Sequence, residues 1–174
     1  MDTYSCIVEC RSVRAFSGDD VPRETVLKIV DAGRRAPSAR NLQPWHFVVV
    51  HGRKRLRELA RYCLSGRFVA EASWAVVVVT DPSNKWHEID GARAVQNMTL
   101  AARNEGVGTC WVGALDREAI SAMLGIPPER HVLTVLPLGY PADSPLVPDT
   151  LRRRPLEDVV WWGAWGVSLP DKSV

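Results

Sequence analysis

An α+β fold, a sandwich with one sheet held between helices, is what this sequence predicts, and three observations predict it. Short apolar runs alternate with stretches of helical periodicity from Pro22 onward. One of those runs, Trp74 to Thr80, is apolar on both faces, so it needs cover on both sides, as a central strand does. The helical stretch from Glu88 to Glu105 is apolar nearly all round at its middle (Ala92, Ala94, Val95, Met98, Leu100, Ala101, Ala102), which marks it as buried. The connections are too irregular to require a parallel sheet, and a mixed sheet is expected.

Each element has its own local reason. Pro22 suits the first turn of a helix running to about Arg35, with Val26, Leu27, Ile29, Val30 and Gly33 near its inner face. Trp45 to His51 reads as a strand. Arg53 to Cys63 reads as an amphipathic helix, because Leu56, Leu59, Ala60 and Cys63 recur at helical spacing. Gly106 stands where a glycine ends the long helix. Val107 to Val112 reads as a short strand, Asp116 caps a helix that stops at Gly125, and Val132 to Leu138 forms the next strand. Without repeats, low-complexity stretches or linkers, residues 1–174 are expected to form one domain, with a C-terminal arm from about residue 150.

The totals exclude several classes. With 174 residues, 46% hydrophobic and 24% charged, the chain is an ordinary globular sequence able to bury a core. A net charge of +2 argues against nucleic acid, and the run Arg53-Lys54-Arg55-Leu56-Arg57 reads as the solvated face of a helix. No apolar run approaches the ~20 residues that span a bilayer, so no membrane partner is expected. Met1-Asp2-Thr3 opens no signal peptide. The four cysteines form no CxxC pair, which suits reduced thiols in the cytoplasm. Seven tryptophans are unusual, and Trp161, Trp162 and Trp165 crowd the C-terminal arm. Such an arm would expose a large apolar patch, so it should pack on this domain or on a second subunit.

Two segments carry the candidate chemistry. In Ala36-Pro37-Ser38-Ala39-Arg40-Asn41-Leu42-Gln43-Pro44-Trp45, Pro37 and Pro44 stiffen an extended loop. Ser38, Asn41 and Gln43 arm that loop with short donors and acceptors, suited to the edge of a flat heterocycle. A rigid helix-to-strand connection is the plainer reading of the same residues. In Arg11-Ser12-Val13-Arg14-Ala15-Phe16, two guanidinium groups and a hydroxyl fall within one short segment, as an oxyanion site requires. Other chemistries find no support. Gly106-Val107-Gly108 follows a helix where a dinucleotide fingerprint would open one, with Trp111 in place of its third glycine. His46, His51, His87 and His131 lack metal-ligand spacing. Cys110, beside Trp111 in an apolar strand, reads as a packed thiol.

In order and spacing, these segments resemble the FMN-dependent nitroreductase family from about Cys10 to about Trp165. The resemblance also includes Gln96-Asn97-Met98-Thr99-Leu100-Ala101-Ala102, Gly108-Thr109-Cys110-Trp111-Val112-Gly113, Leu138-Gly139-Tyr140-Pro141 and Arg152-Arg153-Arg154-Pro155-Leu156. It implies a nitroreductase-like α-β-α sandwich whose C-terminal arm is exchanged across a homodimer, with FMN at the interface. NADH or NADPH would reduce the flavin, which would then reduce a small-molecule acceptor such as a nitroaromatic or quinone by a ping-pong mechanism. No protein side chain need carry the chemistry.

By the same resemblance Arg11, Ser12, Arg14, Arg152 and Arg153 would serve the phosphate. Pro37, Ser38, Ala39 and Asn41 would reach the ring from the partner subunit. Amides of the segment Cys110, Trp111, Val112 and Gly113 would face N5. Two departures stand out: Cys10 replaces a common arginine, and Ser65-Gly66-Arg67-Phe68 replaces Asn or Gln residues before the second strand. Arg40, Arg67, Phe68 and Trp86 would line the acceptor side, with Arg40 favouring anionic acceptors. A flavin oxidase of a small substrate such as a cyclic dipeptide, or a non-catalytic flavin-binding module, are the alternatives.

Overall fold

The computed structural model of the chain describes residues 1–142 and 153–168. The elements are α1 (Thr3–Glu9), α2 (Arg23–Arg34), β1 (Trp45–His51), α3 (Arg53–Arg61), β2 (Trp74–Thr80), α4 (His87–Asn104), β3 (Gly108–Thr109), α5 (Arg117–Leu124) and β4 (His131–Gly139). Single 3-10 turns occupy Ala39–Asn41, Arg67–Glu71 and Leu156–Asp158.

β2 organises the sheet, whose strand order is β1-β2-β4-β3. Its valines are stiff and branched, and they alternate between two cores as the strand period of two dictates. Ala75, Val77 and Val79 face one core with Leu56, Leu59, Cys63, Ile120 and Val135, beneath α3 and α5. Val76 and Val78 face the other with Val26, Ile29, Met98, Leu136 and Leu138, beneath α2 and α4. The sandwich expected from this run is therefore the one observed. Strand pairing is antiparallel throughout the four strands. The expected mixed sheet is thus an antiparallel one, and among the described residues the one parallel pairing is the isolated bridge Ser12–Thr109.

The helix ends follow their caps. Asp116 accepts a hydrogen bond from the Ala119 amide, and Gly125 closes α5 in the left-handed conformation (φ 67°). Gly106 takes φ 73° just beyond α4.

One element, α1, carries no strong signal in the sequence and was not expected. Three readings need correction. The strand Val107 to Val112 shrinks to Gly108–Thr109, because the chain leaves β4 at Cys110 and returns only at the single bridge Val112–Val135. Leu27 is 48% exposed, on the solvent side of α2. α4 is buried along one face only: Ala92 is exposed, while Leu100 and Ala101 are half-buried.

Candidate functional site

α4 stands between the cleft and the Pro37–Pro44 loop, and it meets them with two opposite faces. Residues three and four apart share a helix face, so Asp90, Ala94, Asn97 and Met98 form one stripe. Ala92, Gln96, Thr99 and Arg103 lie on the other side. On the first face, Asn97 Nδ2 donates to the Ala32 carbonyl at 3.1 Å. Met98 is fully buried against Gly33, where an added methyl group would lie 2.7 Å from its Cγ. Ala94 packs with Ala36 and Trp45, the two residues flanking the Pro37–Pro44 loop. The opposite face lines a cleft of about 490 Å³.

Three other segments complete the cleft: Cys10, Arg11 and Ser12; Thr109, Cys110 and Trp111; and Arg153 from the C-terminal arm. The structure thus gathers five of the expected site residues, Arg11, Ser12, Cys110, Trp111 and Arg153. Gln96, Thr99 and Thr109 join them. The sequence reading did not single these three out as cleft residues, although Gln96 and Thr99 stood in the helix motif and Thr109 in the segment after it. Val13 donates its amide to the Thr109 carbonyl at 2.8 Å and fixes the arginine segment alongside β3. Gly108 is needed there, since a Cβ would meet the Val13 side chain at 2.7 Å. Ser12 and Arg14 are both exposed. Arg14 does not line the cleft, but it makes no ion pair among the described residues.

Several expectations change at the level of atoms. Arg11 already donates Nη1 to the carbonyls of Val8 (2.6 Å) and Cys10 (2.8 Å), closing the end of α1. Its Nε is buried and unpaired among the described residues. Arg11 therefore spends two of its five donors on the end of α1 and keeps Nε and Nη2 beside the cleft that it lines. Val112 is a core residue whose amide donates to Val135 O and whose carbonyl accepts from Thr134 Oγ1. That amide is unavailable to a ligand, whereas Gly113 is exposed just outside the residues that line the cleft. A Cβ on Gly113 would lie 3.3 Å from Trp111 Nε1, so its lack of a side chain keeps this edge open. Arg152 lies outside the described residues. Phe68 packs on the core beneath α3 instead of lining an acceptor site. Arg67, Arg40 and Trp86 are exposed and none lines the cleft.

The loop between α2 and β1 turns back on itself. Ser38 Oγ accepts from the Gln43 amide (3.0 Å), and the amides of Asn41 and Leu42 donate to the carbonyls of Ser38 and Ala39. The Ala39 amide donates to the buried Asp90 carboxylate at 3.0 Å, so it cannot serve a ring edge. Asp90 was missed by sequence reasoning, which offers no sign that a carboxylate on a helix is buried. The Asn41 side chain is exposed. Pro37, Ser38, Ala39 and Asn41 do not line the cleft. The thickness of a helix stands between the two halves of the expected site.

Two of the four cysteines have thiols held in their neutral form by burial. Burial pushes the Cys63 thiol up to about 12 and raises Cys10 as well. Cys110 is buried, with Sγ 3.7 Å from the Trp111 carbonyl oxygen, which agrees with a packed thiol. Among the described residues no group of three His, Cys, Asp or Glu could hold a metal, and no helix is long and apolar enough to cross a membrane.

The donor set fits a phosphorylated heterocycle. A cleft of about 490 Å³ lies within the ~300–1,000 Å³ range of small-molecule sites. It is lined by the guanidinium groups of Arg11 and Arg153, the hydroxyls of Ser12, Thr99 and Thr109, and the flat, 43% exposed indole of Trp111.

Comparison with known proteins agrees with this reading. The family model for the nitroreductase family matches residues 7–75 and 63–140. A protein of Archaeoglobus fulgidus that carries the name NADH dehydrogenase/NAD(P)H nitroreductase is 39% identical over 77% of this chain and 82% of its own length. A nitroreductase family protein from Clostridium novyi NT superposes with a TM-score of 0.78 at 29% identity, covering 100% of both chains. An FMN-dependent nitroreductase from Clostridium difficile R20291 gives a TM-score of 0.77 at 26% identity, over 82% of this chain and 89% of its own. The chain belongs to the nitroreductase family of FMN-dependent oxidoreductases.

Proposed function

We propose that this protein is a homodimeric NAD(P)H:acceptor oxidoreductase with two FMN sites, each built from both subunits. The observation that carries the reading is the separation of the ring-edge loop from the cleft by α4. One chain leaves its two half-sites on opposite faces of a helix, and a two-fold partner would supply the missing half to each. The exposed apolar residues support it: Tyr4, Ile7 and Val8 on α1, Ile89 on α4, and Trp162 and Trp165 on the arm, the last 89% exposed. Residues 1–174 would form one flavin-binding domain, with the arm beyond about residue 150 reaching across the dimer.

Bound FMN would take a hydride from NADH or NADPH and then pass electrons to a nitroaromatic, quinone or related acceptor, in ping-pong fashion. The chain's own residues bind, orient and polarise. Ser12, Arg14 and Arg153 would hold the phosphate, with Arg152 as a further cation. Gly113 would offer a backbone donor toward the charge that develops on the reduced ring. Trp111 would flank the flavin, and Asn41 would reach the ring edge from the partner. Four free cysteines suit a reducing, cytoplasmic setting.

Protein purified with its cofactor should be yellow and should bleach under NADH or NADPH without oxygen. Retained colour with both nucleotides would refute the donor assignment. Uptake of no FMN at all would refute the site.

A further inference from the structure

Arg40, Asn41 and Gln43 adopt positive φ values of 52°, 57° and 47°, and they are the only non-glycine residues among those described that do. Asparagine tolerates this conformation because its short polar side chain can bond locally. Gln43 bonds locally through its longer side chain, Nε2 donating to the Asn41 carbonyl at 3.2 Å, while Arg40 makes no such bond among the described residues. Three such residues within four positions persist only where the surroundings over-determine the backbone.

The surroundings here centre on one buried carboxylate. Asp90 is 1% exposed, and its Oδ2 accepts the Ala39 amide at 3.0 Å. The nearest cation, Arg93 Nη1, stands 3.7 Å from the other oxygen and is itself half in solvent. A buried carboxylate needs hydrogen bonds to be tolerated, and the bond it makes here is to the loop. Its base cannot shift. At Gly91 a Cβ would lie 2.6 Å from Leu133 Cδ2 and 2.9 Å from Thr80 Cγ2, so α4 sits hard against the sheet at this point. One turn further along the same face, Ala94 holds Ala36 and Trp45, the two ends of the loop.

We propose that Asp90 is a positioning residue: it clamps the loop of residues 38–43, in which Arg40, Asn41 and Gln43 are left-handed, and so sets where Asn41 meets the flavin of the partner subunit's cleft. The clamp stands on the geometry of this chain. Its effect on turnover rests on the shared-site reading given above.

Four variants of the FMN-loaded enzyme test it: Asp90→Ala, Asp90→Asn, Arg40→Gly, and Asp90→Ala combined with Arg40→Gly. Hydrogen exchange over residues 38–43 reads the clamp, and anaerobic flavin reduction at saturating NADH or NADPH reads the site. Loss of a charge-assisted bond predicts that Asp90→Ala speeds exchange in the loop about tenfold and slows reduction by a similar factor. Asp90→Asn, which keeps an acceptor oxygen, should lie between Asp90→Ala and the native protein in both measurements. Glycine at position 40 removes the side chain that opposes positive φ, so the double variant should recover to within about threefold of the native rate. A merely structural role for Asp90 gives no such recovery.

Unchanged exchange at 38–43 in Asp90→Ala would overturn the clamp. Faster exchange with an unaltered flavin spectrum and reduction rate would instead overturn the shared-site reading and leave the clamp standing. Should Asp90→Ala lose protection throughout α4, Asp90→Asn decides alone: loop exchange equal to native overturns the proposal, and a selective rise over 38–43 supports it.

Discussion

The two faces of α4 are built from similar residue types and end in opposite states. Toward α2, Ala94, Asn97 and Met98 are covered, bonded and packed against Gly33, Ala32 and Ala36. Toward the cleft, Ala92 and Gln96 remain exposed beside a row of hydroxyls and an exposed indole. The first face is finished within the chain and sets stability. The second is left open for what binds there, so its substitutions should act on ligand and assembly while the fold survives.

The largest difference should come from Met98→Ala. Removing a fully buried side chain costs about 2–5 kcal/mol, and urea denaturation should show it. Next, Arg14→Ala should weaken FMN retention about 10- to 100-fold with little change in folding, since a charge-assisted bond to phosphate contributes ~1.5–3 kcal/mol. Titration of apoprotein with FMN measures it, and equal affinity would remove Arg14 from the phosphate site.

Asn97→Ala, which loses one bond to Ala32 O, should cost about 1 kcal/mol in the same denaturation assay. His131 gives a smaller effect. Burial lowers its pKa from 6.5 against the opposing pull of Glu88, and it sits edge-on to His87 at the start of α4. A histidine with a depressed folded pKa binds fewer protons folded than unfolded. Its contribution is therefore complete above pH 6.5 and lost as pH falls through the folded value. His131→Gln should flatten the stability profile in that window, and an unchanged slope would assign the dependence elsewhere. Gln96→Ala, on the open face, should move stability by no more than about 0.5 kcal/mol.

Most of the fold was legible because its signals are local. The valines of β2 announce a strand with two covered faces, and Asp116 and Gly125 announce both ends of α5. The site was legible as motifs and only partly as atoms. Ser12, Trp111 and Arg153 meet in the cleft as expected, whereas the amides of Ala39 and Val112 are engaged by Asp90 and Val135. Such partners lie 51 and 23 residues away in sequence, and no periodicity encodes which amide they take. The exposure of one side of α4 was hidden for a related reason: alanines suit a core and an interface between chains equally well.

The shared site is tested most directly by mixing subunits. Arg14→Ala damages the phosphate half and Asn41→Ala the ring half, and each homodimer carries that damage in both of its sites. After equimolar exchange, two-fold symmetry leaves about a quarter of all sites free of either substitution, paired in heterodimers with sites that carry both. Activity with NADH or NADPH and a quinone should rise above that of either parent toward this fraction. If exchange is verified and activity remains at the average of the two parents, each site is made by one chain and the account is contradicted.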